Sequence, residues 1–498
     1  MTTIERSSGV LLHPTSLPGN LWAGTMGAQA RRFVDFLQEA GMSLWQVLPL
    51  GPTGDGDSPY QCLSAFAGNP MMIDFEALIE EGLLPSDAAL WGGGGQQADF
   101  DGLRTHQGYW LPQAWRNFEA KADPARKVAF EVFCNTEAHW LDDYALFEAL
   151  VQANDRRAWW DWAAPIAQRQ PDALDKARAE LAEPIAVTRF AQFIFFEQWQ
   201  QLRTYAKARG VQIVGDIPIF VALNSADVWA QPELFLLNEH GRPTAVAGVP
   251  PDYFSEKGQL WGNPLYRWDV MADNGYAWWI ARFEAVLKTA DLIRVDHFRG
   301  FEAYWSVPAD AEDARSGAWV PGPGAAFFQA IRDHFGDIPI IAEDLGDLTD
   351  AVHQLRDDFE LPGMKILHFA FGSGNDNAYL PHNHTTARCV VYPGTHDNNT
   401  TVGWFNELPE HTLEHLTEYL DTTPTAKDIH WHMIRMAWAS VAQHAIVAMQ
   451  DILGLDAQSR MNIPGVAKGN WGWRLLPHQL NTAGVSARLR ALGALFAR

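Results

Sequence analysis

Eight short runs of apolar, β-branched residues punctuate this chain, most closed by a glycine, a proline or an acid before a helical pattern resumes. They fall at 9–17, 44–50, 212–220, 292–300, 338–346, 364–371, 389–398 and 445–453. Runs this apolar suit strands covered on both faces, because a strand with one wet face alternates polar and apolar residues. Helical periodicity precedes several of them, at 28–40 before the second, 189–209 before the third, 276–290 before the fourth and 325–335 before the fifth. Strand–helix alternation on this scale predicts an α/β fold, a parallel sheet closed into a (β/α)8 TIM barrel. The run at 445–453 fits either a strand or a buried helix, since periodicity does not separate the two at that length.

Two intervals are too long for plain connections. Between the second and third runs, helical patterns at 140–162 and 172–181 predict a helical subdomain, 71–185, inserted in the barrel. After the third run, 231–267 is rich in proline and aromatics with little periodicity, which reads as a long active-site loop. Length alone, 498 residues, suggests about three domains. Barrels accept insertions of this size, so the reading is one catalytic barrel over 1–498 that carries both. The glycine run at 92–95 has no Lys-Ser/Thr after it and is not a phosphate loop.

Charge and cysteine usage remove several function classes. The chain has 37 basic against 60 acidic residues, net −23. Such a surface repels phosphate backbones and anionic lipid, which argues against nucleic acid and membranes as partners. Cys62, Cys134 and Cys389 are far apart and form no C-x-x-C pair, so neither a disulfide framework nor a thiolate metal cluster is expected. His382/His384 and His430/His432 imitate ligand pairs but lack a clear third ligand, and no metal site is assigned. The start of the chain lacks the apolar run of a signal peptide, and 436–449 is broken by Gln443 and His444. A soluble cytoplasmic protein, monomeric or weakly homo-oligomeric, is the expectation. Tryptophan is abundant, at 22 residues. Indole faces suit sugars and cores alike, so this excess is a hint only.

In a β/α barrel the reactive groups gather at the C-terminal ends of the strands. That rule selects Asp216, Asp296, Glu343 and Asp397, each beside Gly, Arg or His. A lone acid at a strand end is more often a cap or turn residue. Four on barrel strands together point to a site. Cleaving a glycosidic bond requires one carboxylic acid to protonate the leaving oxygen and one carboxylate to attack or stabilise the oxocarbenium-like carbon. Arg294 stands two residues before Asp296, so on a strand both project to one face, where the guanidinium would hold Asp296 ionised. Glu343 would need a raised pKa to serve as the acid. Strand-end reasoning does not rank the four.

Seven segments, in the same order along nearly the whole chain, closely resemble the 4-α-glucanotransferases called amylomaltases or disproportionating enzymes, glycoside hydrolase family 77. They are His13-Pro14-Thr15-Ser16-Leu17-Pro18-Gly19, Asp57-Ser58-Pro59-Tyr60-Gln61, Gly215-Asp216-Ile217-Pro218-Ile219-Phe220, Pro250-Pro251-Asp252-Tyr253-Phe254, Gly258-Gln259-Leu260-Trp261-Gly262-Asn263-Pro264, Arg460-Met461-Asn462-Ile463-Pro464-Gly465 and Gly469-Asn470-Trp471-Gly472-Trp473-Arg474. The resemblance implies a retaining transfer of α-1,4-glucan segments between maltodextrins, on a barrel without a C-terminal β-domain and with no cofactor. It implies Asp296 as nucleophile, Glu343 as acid/base and Asp397 as the carboxylate that binds the hydroxyls of the distorted sugar. Arg294, His396, Asp216 and Tyr60 would line that sugar's subsite. Trp261, Ser58 and the Tyr253-Phe254 loop would sit over the acceptor side, and Asn462 would also bind substrate. Maltooligosaccharides and starch- or glycogen-derived glucans are the implied substrates. Plain hydrolysis of the same bond, and a non-catalytic glucan-binding protein on the same barrel, are the alternatives. The chain departs from the family pattern at Asn20-Leu21-Trp22-Ala23-Gly24-Thr25-Met26-Gly27 and at Asp55, where related enzymes often hold an aromatic associated with a secondary glucan-binding position.

Overall fold

Among the described residues, twelve strands follow in chain order as β1 (Ser7–Leu11), β2 (Leu44–Gln46), β3 (Gln212–Pro218), β4 (Ala245–Val249), β5 (Gln259–Pro264), β6 (Leu292–Asp296), β7 (Ala303–Pro308), β8 (Ala318–Pro321), β9 (Ile340–Ala342), β10 (Gly363–Ile366), β11 (Cys389–Tyr392) and β12 (His444–Ala448). The structure is a computed structural model that describes residues 6–498 apart from 20, 55, 90–94, 252–254, 347 and 481–482.

Eight of these strands pair in parallel in the order β10-β11-β12-β1-β2-β3-β6-β9. The sheet curls until its ends meet, where the Ala342 amide donates to the Pro362 carbonyl at 2.8 Å. At that seam the Asp344 carboxylate accepts from the Met364 amide at 2.6 Å and from Arg356 at 2.6 Å, standing in for a ladder bond. The molecule is therefore the (β/α)8 barrel that the alternation predicts. The ambiguous run at 445–453 divides into β12 and a short helix, Met449–Ile452. The apolar runs outlast their strands. β2 and β9 hold only three residues each, and the rest of each run leaves the ladder at the C-terminal rim and shapes the barrel mouth.

Helices Ala28–Ala40, Ala182–Lys207, Ala277–Leu287 and Gly324–Phe335 precede β2, β3, β6 and β9. In the long interval before β3, helices Phe100–Lys121, Pro124–Thr136, Ala138–Ala153 and Pro171–Glu180 stand ahead of Ala182–Lys207. Ala138–Ala153 buries Trp140, Leu141, Tyr144, Ala145, Leu146, Phe147, Ala149, Leu150 and Val151. Those positions run around most of its circumference, so the helix is packed on several sides rather than along one stripe.

The segment 231–267 departs from the loop expected of it. β4 and β5 lie within it and join β7 and β8 in a second, antiparallel sheet of order β5-β4-β7-β8. Short strands around a glycine turn at Gly258, with a register shift between Val246 and Gly248, leave too little alternation to be read locally. Among the described residues no strand follows β12, and the last element is the helix Ala483–Phe496.

At the opposite, N-terminal end of the strands, one cation clasps the seam between β1 and β12. Arg498 donates to the carbonyls of Trp438 at 2.9 Å, Ser7 at 3.1 Å, Ser440 at 3.2 Å, Ala442 at 2.8 Å and Gln443 at 3.2 Å. Burial pushes this guanidinium down to about 9, which still leaves it charged at neutral pH. Arg498→Ala removes all five bonds, and we expect a loss of about 1–3 kcal/mol. A lowered denaturant midpoint with unchanged kcat checks this, since the clasp lies at the far end of the barrel from the acids. An unchanged midpoint would show that water, with Arg6, which also donates to the Trp438 and Ser440 carbonyls at 3.0 and 2.6 Å, replaces it without cost.

Candidate active site

The four acids arrive at one rim through strand register. Asp216 on β3 is paired with Arg294 on β6, and Pro218 with Asp296, so Asp216 and Asp296 occupy adjacent strands two residues apart in register. β9 pairs with β6 through Val295 and Ala342, which brings Glu343, the next residue, beside the end of β6. Asp397 follows β11 across the barrel.

Arg294 is the electrostatic hub. Its Nη1 donates to both Asp216 oxygens, at 2.9 and 2.8 Å. Its Nη2 lies 2.8 Å from Asp296 Oδ1. The Arg294 side chain is 4% exposed and the Asp216 side chain 0%, whereas that of Asp296 is 25% exposed and faces the cleft. Tyr60 completes the inner ring, its hydroxyl donating to Asp216 Oδ2 at 2.8 Å. Asp216 is thus saturated by a cation and a phenol and shut off from the cleft. Asp296 is held by the same cation and remains reachable.

Glu343 is almost buried. Its Oε2 accepts from the His297 amide at 2.7 Å and its Oε1 from the Leu345 amide at 3.2 Å. Burial raises its pKa well above the usual carboxylate range, and the charge of Asp296 adds to this. Arg294 and the His297 amide oppose the shift without cancelling it. The result is a carboxyl that keeps its proton next to one engaged by a guanidinium. His297 itself sits at φ +50°, a left-handed conformation uncommon outside glycine. That turn, immediately after Asp296, aims the amide at Glu343. Sequence reasoning missed His297, and no local signal marks a non-glycine residue that will adopt positive φ.

Asp397 has the opposite environment. Burial alone would raise its pKa, but His396 and Asn462 outweigh that and hold it below the usual range. Asn462 Nδ2 donates to Oδ1 at 2.6 Å, and His396 Nε2 lies 3.3 Å from Oδ2. Arg460, also missed, fixes this corner by donating to the Asp397 carbonyl and to the Asn462 carbonyl, each at 2.6 Å. Its place two residues before Asn462 is the one sequence clue. Tyr60 stacks on the His396 ring with centroids 5.1 Å apart and planes 14° apart, and Trp471 packs 5.9 Å from Tyr60.

The structure therefore brings together Tyr60, Asp216, Arg294, Asp296, Glu343, His396, Asp397 and Asn462. Ser58 belongs to the turn beneath Tyr60, where its Oγ accepts from the Tyr60 amide at 3.2 Å. The same turn is tied to helix Phe100–Lys121 by an ion pair between Asp57 and Arg104. Trp261, on β5, borders the site with its ring edge-on to His297 at 4.9 Å. Tyr253, Phe254 and Asp55 lie outside the described residues. Among the described residues, no three or more His, Cys, Asp or Glu side chains converge as a metal cage. A carboxyl held protonated one strand from an ion-paired carboxylate is the equipment of a glycosidic-bond enzyme.

Comparison with known proteins agrees with that chemistry. Residues 12–480 match the glycoside hydrolase family 77 description, 4-alpha-glucanotransferase. The chain is 49% identical to the 4-alpha-glucanotransferase of Thermus thermophilus, over 98% of each sequence. It is 48% identical to that of Synechocystis sp., over 96% of this chain and 95% of the relative. The amylomaltase of Streptococcus agalactiae, solved in complex with acarbose, superposes with TM-score 0.95 at 39% identity over 99% of both chains. The amylomaltase of Corynebacterium glutamicum shares the fold at TM-score 0.77 and 18% identity, over 98% of this chain and 75% of its own.

Proposed function

Because this chain belongs to the 4-α-glucanotransferases of glycoside hydrolase family 77 and transfers α-1,4-glucan segments, we propose how its residues divide that work. The observation that carries the reading is the Arg294 bridge, which buries Asp216 and leaves Asp296 open to the cleft. Asp296 is the nucleophile. Its free oxygen attacks the anomeric carbon of the donor while the bond from that carbon to the leaving 4-oxygen breaks. Glu343 gives its proton to that oxygen, and the product is a covalent β-glucosyl-enzyme with one shortened glucan released. In the second half, Glu343, now a carboxylate, takes the proton from the 4-hydroxyl of an acceptor sugar. The acceptor oxygen bonds to the anomeric carbon, and Asp296 leaves as a carboxylate.

The remaining residues bind. Asp397, kept ionised and oriented by His396 and Asn462, accepts hydrogen bonds from the hydroxyls of the reacting sugar. Tyr60 walls the same subsite, while Asp216 and Arg294 lie beneath it and hold Tyr60 and Asp296 in place rather than touching the sugar. Trp261, with Ser58, Tyr253 and Phe254, serves the acceptor side. The substrates are maltooligosaccharides and glucans derived from starch or glycogen. The segment 71–185 acts as a subdomain that braces the turn bearing Tyr60, through Arg104 and Asp57. No helix among the described residues is long and apolar enough to cross a membrane, and a cytoplasmic location suits these substrates.

Incubation of the pure protein with maltotriose tests the transfer directly. We expect a ladder of longer oligosaccharides together with glucose. Reducing ends that rise steadily without longer products would mean that water, not sugar, is the acceptor.

A further inference from the structure

A cavity of about 30 Å³ borders the His396 ring and is lined also by His13, Asn399, Gln450, Asp451 and Trp473. Asp296, Glu343 and Asp397 take no part in its wall, so it lies behind the reacting centre rather than in the cleft. Four of its lining residues carry a buried atom with no hydrogen-bond partner among the described residues: His13 Nδ1, His396 Nδ1, Asn399 Oδ1 and Trp473 Nε1. The polar groups beside them are engaged. Asp451 accepts from the Thr401 amide at 2.7 Å, Gln450 donates to the Ser459 carbonyl at 3.3 Å, and Arg460 spans the two carbonyls already described. Buried polar atoms left unpaired are costly, and a cavity of this size has room for one water or two.

Donor and acceptor character dictates how such water sits. Trp473 Nε1 only donates, and Asn399 Oδ1 only accepts. Asp397, held as a carboxylate, also only accepts, so His396 Nε2 carries the hydrogen that meets it at 3.3 Å. An imidazole with its hydrogen on Nε2 presents Nδ1 as an acceptor. A water that gives its hydrogens to Asn399 and His396, and one lone pair to Trp473, has one lone pair left. The group placed to fill it is His13, with its hydrogen on Nδ1. Burial, with the His396 ring adding to it, pushes His13 down to about 3, so it is a neutral ring with one N–H to place. Its backbone is pinned on both sides, the Leu12 amide donating to the Gln46 carbonyl at 3.0 Å and the Ser16 amide to the His13 carbonyl at 2.9 Å.

We propose that His13 is a positioning residue for the transfer: through water in this cavity it fixes His396 in the tautomer whose Nε2–H holds Asp397 against the reacting sugar. The proposal rests on the reading of Asp397 given above. Asp397 grips the distorted sugar more firmly than the relaxed one, so a loss of its orientation falls on kcat more than on KM.

The test is steady-state transfer from maltotriose by two variants. His13→Phe keeps the ring volume and has no donor, whereas His13→Asn loses volume and keeps an N–H where the histidine Nδ1 lies. His13→Phe is expected to lower kcat about tenfold with KM within about twofold, the worth of one buried hydrogen bond. His13→Asn should keep kcat within about threefold of the unaltered protein. A packing role alone gives the reverse order, because asparagine leaves a hole and phenylalanine does not. In a His396→Gln background, which has no second ring nitrogen to fix, His13→Phe should cost less than about twofold more. A kcat for His13→Phe at or above that of His13→Asn would overturn the proposal, as would an undiminished loss in the His396→Gln background. If His13→Phe does not fold, His13→Leu takes its place, since it too lacks a donor and, like asparagine, leaves the ring volume unfilled. Asp397→Asn with full turnover would instead defeat the reading of Asp397, and this proposal with it.

Discussion

Asp296→Asn is expected to lower turnover of maltotriose by ~10⁴-fold or more, because it removes the nucleophile and with it the covalent route. The prediction is sharp because the substitution disturbs little else. Arg294 keeps both bonds to Asp216, at 2.9 and 2.8 Å, so no buried cation loses its only partner. The amide is nearly isosteric with the carboxyl, and 25% of the Asp296 side chain already faces the cleft. Thermal stability should therefore change by no more than ~1 kcal/mol, the range for sites without a cavity or an unpaired charge. The measurement is a steady-state rate on purified variant with a parallel melting curve. A rate within about tenfold of the unaltered protein would refute the assignment of Asp296. A collapsed melting curve would instead mean that Asp296 is structural.

The second large effect concerns the proton. Glu343→Gln should reduce transfer from maltooligosaccharides by about 10²–10⁴-fold, the usual range for a lost general acid. An α-maltosyl fluoride donor needs no protonation of its leaving group, so its first step should be nearly spared. The pH dependence follows from the direction of the Glu343 shift. The acid form is required, its pKa is raised by burial and by Asp296, and activity is therefore lost as pH rises through that raised value. Glu343→Gln with the fluoride donor should show no such alkaline limb. If the limb persists, another group sets it and Glu343 is not the acid. The same cause accounts for the change of role in mid-reaction. Once Asp296 is esterified its charge is gone, the repulsion that raised Glu343 weakens, and the carboxylate formed is poised to accept a proton from the incoming hydroxyl.

Much of this site was legible in the chain because its causes are local. Strands buried on both faces must be continuously apolar, and barrels present their chemistry at strand ends. Those two constraints were enough to pick out Asp216, Asp296, Glu343 and Asp397. The i, i+2 spacing likewise foretold that Arg294 would share a face with Asp296, and the structure sets them 2.8 Å apart. The ranking of the acids was not legible, because it depends on which strands neighbour one another. Asp216 faces Arg294 only because β3 pairs with β6 in one register, and no spacing along a single strand carries that information.

The second sheet shows the same limit. β4 and β5 are short, broken by Gly258 and a register shift, and stabilised by β7 and β8 from a later part of the chain, so 231–267 looked like loop. His297 is the sharpest case, since its left-handed backbone arises from the turn between β6 and β7 and from its amide's bond to Glu343. The sequence by itself thus determined the barrel and the acids at its rim, because burial and side-chain alternation act between near neighbours along the chain. Only the tertiary structure decided which acid is buried, which is protonated and which is open, because those states depend on charges and amides brought together from strands far apart in sequence.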